Sequence, residues 1–166
     1  MQVEWDQKKY TTGFAHIDEQ HRNLFDGLNG LMLFLEDSSI FDKSENKAKV
    51  IEMIDFIGNY TSEHFSDEEK IFEKYNHPLM DANKEAHQMF LAKYAQYQSK
   101  LADGKLTRAL LIQMHIFLRG WLINHILKID TSLCDCEEKA TEEVHDNDNS
   151  EKKTGIFSRF FSLFKI

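Results

Sequence analysis

Six side chains of this sequence are of the types that hold metal ions, and they occur at helical spacings on four separate segments. They are His21, His64, Glu68, His87, His125 and Asp130. His64 and Glu68 are four residues apart, so on a helix they lie one turn apart on the same face. A single buried histidine is more often a hydrogen-bonded core residue. Six such groups within apolar stripes predict a metal site, because burial is costly unless a polar group is paired or binds a metal.

The donor types restrict the metal. Imidazole and carboxylate without thiolate exclude iron–sulfur clusters and disfavour structural zinc. Two carboxylates that can bridge indicate a pair of ions, for which iron or manganese fits best. Ferritin-like di-iron bundles use glutamates and a Glu-x-x-His step. The His64-x-x-x-Glu68 step of this chain does not match them.

Four helices must position these side chains, and apolar residues at three- and four-residue steps predict them. The first is expected over 18–36, with Asp18 as its capping residue. The second has its apolar stripe over 50–71, the third begins near Met80, and the fourth begins near Thr107. Asp130, five residues beyond the last histidine, faces inward only if the fourth helix loosens at its final turn.

The composition supports one helical domain. A chain of 166 residues with 42% hydrophobic residues can form a core, and one proline and seven glycines leave few helix breakers. Strand signals are absent. We predict an all-α fold, an antiparallel up-down-up-down four-helix bundle over residues 1–133.

Beyond the bundle the composition changes twice. Residues 134–155 contain eight acidic residues and three lysines and have little to bury, which predicts a disordered acidic linker. Residues 156–166 are rich in phenylalanine, with the apolar side chains on one arc of a helical wheel. They predict a short C-terminal amphipathic helix that binds a membrane surface or a protein partner.

Charge and the order of residues restrict partners and location. A net charge of −8, without a basic aromatic-rich patch in the main body, argues against nucleic acid as a partner. The start of the chain lacks a secretion signal, and no run approaches the roughly 20 apolar residues of a spanning helix. We expect a cytoplasmic protein, peripheral at a membrane or recruited to an assembly if the tail directs it there. Cys134 and Cys136 are too close in sequence for an easy disulfide, which agrees with a reducing compartment.

At these residues the sequence resembles the hemerythrins in their bacterial form, the bacteriohemerythrins. The matching motifs are Ile17-Asp18-Glu19-Gln20-His21, His64-Phe65-x-x-Glu68-Glu69, the stretch 75–90, and Trp121-Leu122-x-x-His125 followed by Asp130. They cover residues 1–133 in order and with natural spacing. The resemblance implies a four-helix bundle with a centre of two non-haem iron ions, linked by a bridging oxo or hydroxo group, that takes dioxygen as its ligand.

The resemblance also implies separate roles for the ligands. His21 and His64 would hold one iron, on whose side dioxygen binds. Glu68 and Asp130 would bridge the two ions. No residue is assigned a catalytic role.

The chain departs from the family pattern in the third helix. The family has two histidines four residues apart there, and this chain has Asn83 and His87. An amide oxygen is a weaker donor than imidazole, so we expect the second iron, implied at His87 and His125, to be held less tightly. His77 precedes Pro78 at a corner of the bundle and is not expected to replace the missing ligand.

Three functions are consistent with these observations. The first is a non-enzymatic dioxygen-binding protein for storage, delivery or sensing. The second is an iron-dependent oxidase or peroxidase-like protein, because Asn83 would open a coordination position. The third is a metal-impaired bundle that acts as an interaction module targeted by its tail. His16, His115, Asp67 and Glu69 are expected at the surface, outside the site.

Overall fold

The computed structural model describes residues 2–36 and 41–136, which form four long α-helices, one short helix and a final 3-10 turn. The elements are α1 (Gln7–Tyr10), α2 (Ala15–Glu36), α3 (Ser44–Lys74), α4 (Met80–Ala102), α5 (Arg108–Lys128) and the 3-10 helix Asp130–Leu133. Each long helix packs against the next one along the chain, and α5 also packs against α2 to close the bundle. The described residues contain no strand, and the all-α four-helix bundle is confirmed.

The helices form because their apolar residues recur on one face, as the core shows. Leu24, Leu28 and Leu31 of α2 are buried at three- and four-residue steps, and α3, α4 and α5 bury matching stripes against them. The predicted linker and tail lie outside the described residues from residue 137 onward. Residues 134–136 are helical, and the side chain of Cys136 is buried.

The start of the first long helix differs from the prediction. It begins at Ala15 rather than near Asp18, and the Asp18 carboxylate does not cap it. One carboxylate oxygen accepts from the Thr11 hydroxyl at 2.6 Å, and the other accepts from the Thr12 backbone N–H at 2.7 Å. The side chain therefore fastens the N-terminal segment to the helix, a tertiary role that local capping rules do not include.

The other boundaries agree more closely with the sequence. The third long helix begins at Met80. Thr107 caps α5, since its hydroxyl accepts from the backbone N–H of Leu110 at 3.1 Å. Between α3 and α4, Asn76 adopts a positive φ of 46°, and the chain turns there before Pro78.

The last long helix and the residues after it differ from the prediction that no stretch is apolar enough to span a membrane. The described stretch Arg108–Cys136 is long and apolar enough, by length and composition, to cross a membrane. The core helix of a soluble bundle has the same composition, and 44% of the apolar window is buried inside the protein. The stretch also carries His125 and Asp130 in buried positions.

A close approach between α3 and α4 depends on a glycine. A Cβ atom at Gly58 would lie 2.6 Å from Cζ of Tyr94. Tyr94 is buried, and its hydroxyl donates to the backbone oxygen of Ile54 at 2.6 Å, so the ring has little freedom to move.

We therefore expect Gly58→Ala to lower the free energy of unfolding. Overpacking costs about 1–3 kcal/mol, which outweighs the gain of about 1 kcal/mol that alanine brings to a helix interior. Urea unfolding followed by circular dichroism measures the change. Gly120→Ala is the matched control, because nothing lies within 4 Å of a Cβ there. A stabilised Gly58→Ala would contradict the packing argument.

Candidate metal centre

The bundle brings all six candidate ligands together in its interior. His21, His64, Glu68 and Asp130 form one group, and Glu68, His87 and His125 form a second; in each group the donor atoms lie within 4.8 Å of one another. Every one of the six side chains is buried. Glu68 belongs to both groups, so the two possible ion positions are neighbours.

The spacing of the donor atoms is that of metal ligands. An ion that binds its ligands at about 2.1 Å in an octahedron places neighbouring ligand atoms about 3.0 Å apart. His87 Nε2 lies 3.0 Å from His125 Nε2 and 3.2 Å from Glu68 Oε2. Asp130 reaches both groups, with Oδ2 at 3.3 Å from His21 Nε2 and Oδ1 at 3.1 Å from His125 Nε2.

The inward position of Asp130 comes from a change of helix type. The last α-helix ends at Lys128, Ile129 adopts φ −121° and ψ −62°, and Asp130 begins the 3-10 turn. A five-residue step from His125 would point sideways on a regular α-helix, and this turn redirects it.

The unpaired polar atoms of the site test whether metal ions fit. Both ring nitrogens of His21, Nε2 of His64 and all four carboxylate oxygens of Glu68 and Asp130 are buried without a hydrogen-bond partner. Buried polar atoms are nearly always paired, and unpaired carboxylates in an apolar interior are especially costly. Cations bound among these lone pairs would satisfy them, so the residues present fit a metal pair.

The electrostatics agree with this fit. Burial lowers the pKa of His21 to about 4 and that of His64 to about 3, so both rings are neutral and keep a free lone pair at neutral pH. Burial raises the pKa of Asp130 well above its ordinary value, and the nearby Glu68 raises it further. Burial acts in the same direction on Glu68, but its contacts with His125 and His87 hold its pKa well below the usual range.

Gln20 and Glu69, which are outside the predicted ligand set, each contact the Nδ1 atom of a ligand histidine. His64 Nδ1 lies 3.0 Å from Gln20 Oε1, and His87 Nδ1 lies 2.7 Å from Glu69 Oε1. Supporting bonds of this kind fix the tautomer and direction of a metal-binding histidine. Glu69 was expected on a solvated face; its side chain is partly exposed, and its contact with a ligand was not predicted. Its position directly after Glu68 was the available signal.

Asp67 is a third supporting residue that the sequence analysis placed at the surface. Its Oδ2 accepts from Gln20 Nε2 at 2.9 Å and lies 3.2 Å from His16 Nε2. Partial burial acts to raise the pKa of Asp67, but hydrogen bonds from Lys70, His16 and Gln20 lower it to about 2. His16 is exposed as expected, whereas His115 is buried, contrary to expectation.

Aromatic rings cover two of the ligands. Phe65 stacks on His87 with ring centroids 3.7 Å apart and planes inclined by 8°. Trp121 stacks on His125 at 4.3 Å and 14°. These contacts restrict rotation of both imidazoles.

The position one turn before His87 on α4 holds Asn83. Its side chain is fully buried, and both polar atoms lack a hydrogen-bond partner. His77 is occupied elsewhere, because Nδ1 accepts from the Leu79 backbone N–H at 3.1 Å and Nε2 lies 3.3 Å from the Ser132 carbonyl oxygen.

Comparison with known proteins shows the family of the chain. The family model described as the hemerythrin HHE cation binding domain matches residues 12–135. The chain belongs to the hemerythrin family. Bacteriohemerythrin of Stenotrophomonas maltophilia (strain R551-3) is 31% identical over 123 residues, which are 74% of each chain. Myohemerythrin of Riftia pachyptila is 26% identical over 126 residues, 76% of this chain and 86% of that protein.

A solved structure has a similar fold. The crystal structure of wild-type hemerythrin superposes with a TM-score of 0.69 at 25% identity, over 81% of this chain and 97% of that one. The resemblance to bacterial hemerythrins stated from the motifs is confirmed.

We expect Asp130→Asn to have opposite effects with and without metal. It removes one of two neighbouring buried carboxylates, so the metal-free protein should gain about 1–3 kcal/mol of unfolding free energy. Metal affinity should fall by more than the roughly 10–100-fold typical of losing a supporting residue. Thermal unfolding after chelation and metal titration measure the two effects.

The exposed Asp135 provides the control for that change, since Asp135→Asn leaves the buried carboxylates intact. Equal metal binding by the Asp130 and Asp135 variants would show that Asp130 is not a ligand.

Proposed function

We propose that this hemerythrin-family chain is a non-enzymatic di-iron protein that binds dioxygen, for storage, delivery or sensing. The observation that carries the proposal is the convergence of six buried donor side chains, most of whose donor atoms have no other partner. Relatives named bacteriohemerythrin and myohemerythrin support it, because hemerythrins are generally oxygen binders.

In this proposal His21 and His64 hold one iron together with the two carboxylates. Glu68 and Asp130 would be shared with the second position, as supported by the short distances from Asp130 to a histidine of each group. Two iron ions held there would supply the capacity to bind dioxygen reversibly. The chain itself keeps both imidazoles neutral and excludes bulk water, since both side chains are fully buried.

A small apolar cavity lies beside the proposed centre. It has a volume of about 20 Å³ and is lined by Leu24, Leu28, Ile57, Thr61, Phe90, Leu118, Trp121 and Leu122. Leu24 lies three residues after His21, and Thr61 lies three residues before His64, so each is about one helical turn from a proposed ligand. An apolar space of this size suits a small uncharged molecule such as dioxygen better than water, which needs several polar partners.

We further propose that Asn83 weakens the second iron position. His87 and His125 would hold this ion with the bridging carboxylates, and Asn83 would contribute at most an amide oxygen. The unpaired Asn83 side chain beside His87 supports its location at the missing ligand position. Loss of one imidazole should favour dissociation and easier oxidation of that iron.

The test of the main proposal is iron content paired with a visible spectrum. We expect up to two iron ions per chain and an absorption band that appears with oxygen and disappears when oxygen is removed. Absence of bound iron would reject the proposal. Steady oxygen consumption in place of reversible binding would favour the oxidase-like alternative.

Asn83→His should raise the affinity of the second position and slow oxidation in air, because it restores an imidazole one turn before His87. We expect a gain of at least about tenfold in affinity, of the order that changes around metal ligands produce. Competition with a chelator measures it. Asn59→His, at an exposed position of α3, is the control. If both variants retain metal equally well, Asn83 does not lie at a ligand position of the metal centre.

A further inference from the structure

His64 on α3 and His87 on α4 differ in the side chain that contacts Nδ1, the ring nitrogen that points away from the proposed metal ions. His64 Nδ1 faces the neutral amide oxygen of Gln20 at 3.0 Å, because the Gln20 amide nitrogen is committed to Asp67. His87 Nδ1 faces the carboxylate of Glu69 at 2.7 Å. A carboxylate acceptor shortens and strengthens such a bond and makes the opposite ring nitrogen a better donor to metal.

The stronger partner lies in the half of the site that contains Asn83. His87 and Asn83 are four residues apart on α4, and the second metal group has two histidines. We propose that Glu69 is a positioning residue that strengthens His87 as a ligand and so offsets part of the loss caused by Asn83. This inference rests on the proposed function and concerns only the second ion.

The geometry fixes the tautomer that this role requires. A carboxylate only accepts, so the proton of the neutral ring lies on Nδ1 and the lone pair on Nε2. Nε2 points into the centre, 3.0 Å from His125 Nε2 and 3.2 Å from Glu68 Oε2. Phe65, stacked on His87 at 3.7 Å, keeps the ring in this plane.

Glu69 lies outside the ring of ligands and does not belong to either metal group among the described residues. Its side chain is 32% exposed, in a groove between α3 and α4 that is also lined by Lys70, Glu73 and Lys84. Replacing it removes no buried charge from the core. The fold should therefore tolerate a change at Glu69, so metal affinity can be measured without loss of structure.

The experiment is a titration of the full metal-free chain with Co²⁺ in the absence of oxygen, followed by visible absorption. Glu69→Gln keeps an acceptor oxygen but removes the charge, so His87 Nδ1 would face a neutral amide oxygen as His64 Nδ1 does at Gln20. Glu73→Gln makes the same chemical change one turn away in the same groove and is the matched control. We expect two binding steps in the wild type, with the weaker step lowered about 10–100-fold by Glu69→Gln and the tighter step little altered.

A second variant links the effect to Asn83. Adding Asn83→His to Glu69→Gln should restore the weaker step, whereas a general loss of structure would not be rescued. The unfolding free energy of the metal-free Glu69→Gln and Glu73→Gln proteins should agree, which separates metal positioning from a structural ion pair.

Two outcomes would overturn the role of Glu69 while leaving the proposed function intact. One is Glu69→Gln binding both ions as the wild type does, and the other is equal weakening of both steps. Failure of the wild type to bind more than one Co²⁺ would reject the second position and the role of Glu69 with it. Failure to bind any would also reject the proposed function.

Discussion

The burial of two carboxylates side by side inside a helical bundle is the constraint on which the rest of this structure depends. Glu68 and Asp130 are both inaccessible to solvent, and none of their oxygens has a hydrogen-bond partner. Such groups also repel each other. Burial raises the pKa of Asp130 well above its ordinary value, and the charge of Glu68 raises it further. His21 and His64 do not neutralise the pair, because burial lowers the pKa of both rings and keeps them uncharged. The contacts of His125 and His87 with Glu68 act on that carboxylate and lower its pKa. Cations bound between the two carboxylates would neutralise the pair.

The two buried carboxylates come from different elements of the bundle. Glu68 lies near the C-terminal end of the longest helix, α3, while Asp130 comes from the 3-10 turn after α5. The two carboxylates, which are 62 residues apart in the sequence, meet because the bundle packs α3 and the end of α5 around one interior. Metal binding and tertiary packing should therefore be strongly coupled, as in other sites that form only in the folded state. The tight contact of Gly58 with Tyr94 also affects this packing, because it allows α3 and α4 to approach closely.

The sequence predicted the features that depend on periodicity and missed those that depend on neighbouring helices. Apolar steps located the four long helices and placed five donor residues on their inner faces, while Asp130 lies inward because of the 3-10 turn after α5. Asp18 was misread as a cap because its partners, Thr11 and Thr12, lie in a folded-back segment. Glu69 looked like a solvated residue because local spacing does not show that His87, on the next helix, presents a ring nitrogen to it.

The same distinction explains why the effect of Asn83 cannot be derived from its own chemistry. An amide in place of imidazole weakens a metal position by itself. The metal affinity that remains depends on the other ligands of that ion. The donor strength of those ligands depends in turn on the side chains that contact them. His87 is fixed by a carboxylate and a stacked ring, and His125 is covered by Trp121. The half of the centre that contains Asn83 therefore has two histidines whose orientation is restricted, and its affinity depends on the whole set of contacts rather than on Asn83 alone.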